Sequence, residues 1–211
     1  MNFQKKQIPN ILTILRILIL PILIGIFIAI ACDCDTIPIY SINAPKNVVW
    51  QHNLLFLISG ILFTIASFTD LLDGYLARKY KWVSDFGKLW DPIADKILVN
   101  TTLIFFAVWQ LTPWWIVVVM IVRDTIVDAS RMYAASKKIV VAADIYGKLK
   151  TITQMVGIIL IFFIFNFRAP INKPIIIYYF PQNIFMIIAL LFSIISGVNY
   201  LVKIIKLTKH K

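Results

Sequence analysis

The sequence predicts an all-α integral membrane bundle of six transmembrane helices, and three observations predict it. Hydrophobic residues fill 60% of the 211 positions, far more than the core of a soluble domain could hide. They gather in runs of about 20 residues, the length that carries a helix across roughly 30 Å of hydrocarbon. The 21 lysines and arginines stand mostly beside the ends of those runs, where they orient spans and meet anionic headgroups. A net charge of +11 would also suit nucleic acid. No basic and aromatic surface outside the bilayer is long enough to bind it, so nucleic acid is excluded as a partner.

Lys5 and Lys6 precede a first apolar run from about Ile8 to Ala31. Ala29-Ile30-Ala31-Cys32 looks like a leader cleavage site, but the run exceeds a usual signal core and carries Asn10, Thr13 and Arg16, so it reads as a retained helix. Residues 32–51 form an outer loop, in which Cys32 and Cys34 are too close for an easy disulfide. A second span from about His52 ends in Asp70 to Arg78, and a basic turn, Lys79-Tyr80-Lys81-Trp82, leads to a third from about Ser84. Asp91-Pro92 lies inside that third helix, where the proline is expected to kink it and free backbone carbonyls.

After a tight outer turn at Thr112-Pro113, a fourth span carries Arg123, Asp124, Asp128 and Arg131 and ends at Lys137-Lys138. The fifth starts near Gly147-Lys148-Leu149-Lys150-Thr151 and runs to Phe167. A polar connection with Arg168, Lys173 and Pro181 precedes the sixth, about Gln182 to Val202, and a basic tail closes the chain. The outer loops and outer turn hold only Lys46, Arg168 and Lys173 among the cations. The excess of positive charge inside therefore sets both termini in the cytosol, in a multi-pass protein of the cell (plasma) membrane. With no internal repeat or soluble insertion, residues 1–211 read as a single membrane domain.

The ten acids are all aspartates, and four of them hold spaced positions in one stretch. It reads Asp70-Leu71-Leu72-Asp73-Gly74-Tyr75-Leu76-Ala77-Arg78, then eight residues, then Gly87-Lys88-Leu89-Trp90-Asp91-Pro92-Ile93-Ala94-Asp95. At about 100° per residue, Asp70 and Asp73 lie within about 60° of each other, Gly74 and Ala77 share their face, and Arg78 flanks it. Asp91 and Asp95, one turn apart, again project to one side, with Gly87 a turn earlier on the same stripe. Acids within apolar spans are costly and functional by default. Two acidic faces brought together would repel unless cations joined them, and oxygen-only donors without a nearby His or Cys suit Mg²⁺ or Mn²⁺ rather than zinc. Gly74 and Ala77 leave room for a ligand near the backbone, and Arg78 offers the planar fork that fits a phosphate. The histidines, His52 and His210, lie at segment ends and look uninvolved.

At every fixed position this spacing resembles the signature of the CDP-alcohol phosphatidyltransferase family. Pro9-Asn10-Ile11-Leu12-Thr13-Ile14-Leu15-Arg16 resembles the first-helix motif of that family's bacterial glycerophosphate-accepting branch. The resemblance implies transfer of the phosphatidyl group of CDP-diacylglycerol to an acceptor hydroxyl, with release of CMP. It implies that Asp70, Asp73, Asp91 and Asp95 hold two divalent ions, with Asp95 also the general base for the attacking hydroxyl. Gly74, Ala77, Arg78 and Gly87, with Asn10 and Thr13, would hold the CDP-lipid. A homodimer with a separate site in each protomer is a further implication.

Arg123 and Arg131 point the same way within about 80° on span four, and Lys148 and Lys150 open span five at its cytosolic end. These four cations suggest that the acceptor itself carries a phosphate. Val122-Arg123-Asp124, Ser130-Arg131 and Gly147-Lys148-Leu149-Lys150-Thr151-Ile152-Thr153-Gln154 again resemble the glycerophosphate-accepting branch. That likeness implies sn-glycerol 3-phosphate as acceptor and phosphatidylglycerophosphate as product. Serine, inositol phosphate or phosphatidylglycerol are the rival acceptors. A divalent-cation transporter is the rival outside the class, although its acids should lie near mid-membrane with exits to both faces.

Overall fold

In a computed structural model the described chain is all helical. Its helices are α1 Ile8–Cys32, α2 Lys46–Tyr80, α3 Asp85–Val108, α4 Trp114–Ser136, α5 Ile145–Phe167 and α6 Ile176–Lys209. The structure describes residues 8–32, 46–80, 85–109, 111–137, 144–167 and 176–209, and within these the side chains of 8–13, 46–53, 71–78, 85–89, 92, 164–167, 176–182 and 208–209 lie outside the description.

Each helix follows one of the six apolar runs, but two are longer than hydropathy alone predicts. α2 begins at Lys46 rather than near His52, and α6 runs from Ile176 to Lys209, taking in Pro181, which polarity alone places in a connection. Backbone hydrogen bonding does not stop where apolar side chains stop, and a proline this near a helix start forfeits only one backbone bond. α3 is continuous through Pro92.

Three helices are long and apolar enough to cross a membrane, over Ile14–Cys32, Ile145–Phe163 and Asn183–Leu207, while α2 has a shorter apolar stretch, Leu54–Asp70. α2, α3 and α4 are the helices that carry the acids and arginines singled out above, and those charges dilute their apolar character. The outward surface is itself oily. Leu18, Ile22, Phe68, Val108, Trp114, Met132, Leu191 and Val198 are among many large hydrophobics left exposed, as a lipid-facing surface requires. Hydroxyls inside these helices turn back on their own backbone, as in Ser59 to Leu55, Thr64 to Gly60 and Thr102 to Leu98, so a polar side chain is satisfied without water.

The chain forms two compact units, Met1–Phe105 with Phe162–Lys173, and Phe106–Ile161 with Pro174–Lys211. In the first, α1 packs along α2. Phe162 of α5 is its aromatic centre, with ring centroids 6.3 Å from Phe27, 5.0 Å from Phe56 and 5.9 Å from Phe63. That approach depends on Gly60, where an added Cβ would stand 2.8 Å from the Cβ of Phe162. In the second unit α4 packs along α6, around a buried cluster of Val127, Ala134, Tyr200 and Ile204. The Asn183 side-chain amide donates to the Leu111 carbonyl at 2.9 Å and pins α6 to the turn before α4.

Candidate active site

The first unit holds the acidic part of the predicted site. Asp70, near the end of the apolar stretch of α2, forms an ion pair of 2.6 Å through Oδ1 with Nη1 of Arg16 on α1. The Arg16 side chain is 0% exposed and that of Asp70 31% exposed. A charge sealed among apolar side chains is tolerated only when paired, and α1 turns Arg16 inward toward α2 for this acid. Asp91 of α3 lies close enough for its carboxylate to repel that of Asp70, so acids from the two signature helices do share a neighbourhood. Asp95, one turn beyond Asp91, is half-buried, as is Asp91 itself. Asp73, Gly74, Ala77 and Arg78 lie on α2, Gly87 on α3, and Asn10 and Thr13 on α1, and the side chains of all seven lie outside the described residues.

Among the described residues no group of three or more His, Cys, Asp or Glu side chains comes together. What is described still fits a hard divalent ion. Asp70 and Asp91 offer only oxygen, they come from separate helices, and their mutual repulsion is what a cation between them would relieve.

Arg16 is a residue that the sequence does not mark as part of the site. It was visible as a charge in the middle of an apolar run, and such a charge needs a partner. Its spacing could not say which acid that partner would be.

The second unit holds the basic residues. Arg123 of α4 donates from Nε to the Ser193 carbonyl at 2.8 Å, from Nη1 to Asp124 at 2.9 Å, and from Nη2 to the Ser196 hydroxyl of α6. Lys150 of α5, buried, donates to the other oxygen of Asp124 at 2.5 Å. One carboxylate is thus shared by two cations from two helices, and one face of α6 is cut to receive the arginine. A Cβ on Gly197 would meet Arg123 Nε at 3.1 Å. Arg131, two turns along α4, also faces α6, its guanidinium 5.2 Å from the ring centroid of Tyr200. Lys148 is exposed. Of the four predicted acceptor-binding cations, the structure gathers Arg123 and Lys150 around Asp124, sets Arg131 over Tyr200 and leaves Lys148 at the surface. The parts played by Ser193 and Ser196 are not legible in the sequence, because Arg123 and the two serines lie about 70 positions apart.

A family model described as CDP-alcohol phosphatidyltransferase matches residues 6–195. A Mycoplasma genitalium protein named CDP-diacylglycerol–glycerol-3-phosphate 3-phosphatidyltransferase is 42% identical over 205 residues, covering 95% of this chain and 84% of its own. Proteins of the same name from Mycoplasma pneumoniae and Bacillus subtilis are each 34% identical, the first over 98% of this chain and 91% of its own, the second over 93% and 94%. The match runs through both units and through both signature helices, and the chain belongs to the CDP-alcohol phosphatidyltransferase family.

Proposed function

We propose that this protein transfers the phosphatidyl group of CDP-diacylglycerol to sn-glycerol 3-phosphate, giving phosphatidylglycerophosphate and CMP. The observation that carries this is the 42% identity to a relative whose name states the donor and the acceptor, over 95% of the chain. The charge layout agrees, with carboxylates collected in one unit and cations in the other.

Asp70, Asp73, Asp91 and Asp95 would hold two ions, Mg²⁺ or Mn²⁺, which when bound neutralise the donor diphosphate and the departing CMP. Arg78 would take a phosphate oxygen of the CDP-lipid beside Gly74, Ala77 and Gly87, with Asn10 and Thr13 contributing from α1. Asp95 would accept the proton as the acceptor hydroxyl attacks the phosphatidyl phosphorus, while the bond from that phosphorus to CMP breaks. Lys150 and Arg123, oriented by Asp124, would hold the acceptor phosphate, with Arg131 and Lys148 adding positive charge.

Six helices of 23 residues or more each reach across about 30 Å, which supports reading all six as spans of one multi-pass domain. The inward excess of Lys and Arg supports cytosolic termini and a cytosolic site at the cell membrane. The family resemblance supports a homodimer among membrane lipids.

The test is CMP release from CDP-diacylglycerol by the purified chain with sn-glycerol 3-phosphate, serine or inositol phosphate as acceptor, with and without chelator. Release is expected with sn-glycerol 3-phosphate and to be lost with chelator. Release driven better by serine would overturn the acceptor assignment.

A further inference from the structure

The Arg16–Asp70 pair is asymmetric in a way a merely structural bridge need not be. The guanidinium is wholly sealed, 0% exposed, whereas the carboxylate is 31% exposed and has the Asp91 carboxylate within repelling range. The contact runs from Arg16 Nη1 to Asp70 Oδ1, and a carboxylate has a second oxygen that can take a cation. Because Arg16 sits inside the contact between α1 and α2, it has no route to water when such a cation arrives. It stays where it is, and Asp70 can then bridge a fixed organic cation and a metal. An acid gripped on one oxygen loses its freedom to swing, and it meets the ion at once in the binding rotamer.

We propose that Arg16 is a positioning residue for the metal site. It holds Oδ1 of Asp70 so that the second oxygen is presented to the divalent ion shared with the α3 acids. This rests on the metal-dependent reading above and deepens it, since Arg16 is assigned to act through Asp70.

Simple electrostatics makes the opposite prediction. Removing a positive charge beside a metal site should tighten ion binding, whereas losing a support behind a ligand carboxylate typically costs about 10- to 100-fold in affinity. Mn²⁺ binding to the purified full chain, followed by the loss of the free-ion EPR signal, decides between them. Arg16→Gln is expected to bind Mn²⁺ about 10- to 100-fold more weakly, and saturating Mn²⁺ is expected to restore most of the CMP release. Arg16→Lys keeps the charge without the fork and is expected to fall between, about threefold to tenfold weaker than wild type.

Unchanged or tighter Mn²⁺ binding by Arg16→Gln overturns the proposal. If that variant does not accumulate folded, wild-type binding by Arg16→Lys overturns it alone. Wild-type protein that binds Mn²⁺ but releases no CMP defeats the reaction assignment and leaves this one standing.

Discussion

The two units solve the problem of charge in an apolar bundle in opposite ways. In the first, one sealed arginine stands behind an acid that has a second acid in range. In the second, one acid is shared by an arginine and a lysine. Burying charge is tolerable only with compensation, and the two units supply it in opposite senses, an arginine behind acids in the first and an acid between cations in the second. The proposed roles, donor chemistry on the acids and acceptor recognition on the cations, can therefore be attacked separately.

The largest effect is expected at the acidic site. Asp95→Asn keeps the shape but puts a donating amide in place of one carboxylate oxygen and removes the proposed base, so turnover should fall about 10²- to 10⁴-fold while CDP-diacylglycerol binding persists. Single-turnover CMP release beside a binding measurement checks this. Normal turnover by the variant would remove Asp95 from the proton path.

On the basic side, Lys150→Met should raise KM for sn-glycerol 3-phosphate by about 10- to 100-fold, the worth of one hydrogen bond to a charged group, with KM for CDP-diacylglycerol little changed. Initial rates with each substrate varied in turn give both constants. A rise in the donor KM alone would break the division of labour between the units.

How far the sequence foretold this can be argued from the same residues. Apolar runs located all six helices, because a span-length run leaves the backbone no other way to satisfy its own hydrogen bonds in lipid. The ends of α2 and α6 escaped, since hydropathy marks where the lipid-like side chains stop and not where helical bonding stops. The fixed spacing of the α2 and α3 acids marks them as a candidate site, and Asp70 and Asp91 come within electrostatic range of each other. The pairing of Arg16 with Asp70 was not legible, because periodicity tells which face a residue occupies and never which helix lies opposite. For the same reason the α6 partners of Arg123, Ser193 and Ser196, were not legible, although the neighbouring Asp124 is an obvious acid for it.

Close helix approach separates the units further, through two glycines. An added methyl at Gly60 would press on the Phe162 Cβ at 2.8 Å, an atom fixed to the backbone of α5, whereas at Gly197 it would meet Arg123 Nε at 3.1 Å. Gly60→Ala should destabilise the protein by about 1–3 kcal/mol, the usual cost of overpacking. Gly197→Ala should be within about 1 kcal/mol of wild type, since alanine's better helix propensity offsets the crowding, but it should disturb Arg123 and raise the acceptor KM severalfold. Thermal unfolding in detergent ranks the two. Equal destabilisation would mean that Arg123 is as immovable as the aromatic core.

The smallest effect tests exposure within the basic unit. Lys148 and Lys150 open the same helix two positions apart, so they cannot share a face. Lys150 is buried against Asp124, while Lys148 is exposed. A charge in water contributes through a screened field, worth about 1 kcal/mol or less, so Lys148→Gln should raise KM for sn-glycerol 3-phosphate by no more than about fivefold. High salt should erase the difference, whereas the larger effect of Lys150→Met, made at a desolvated contact, should survive it. A salt-resistant loss at Lys148 equal to that at Lys150 would show that the lysine turns inward when the acceptor binds, and that the phosphate draws on both faces of α5.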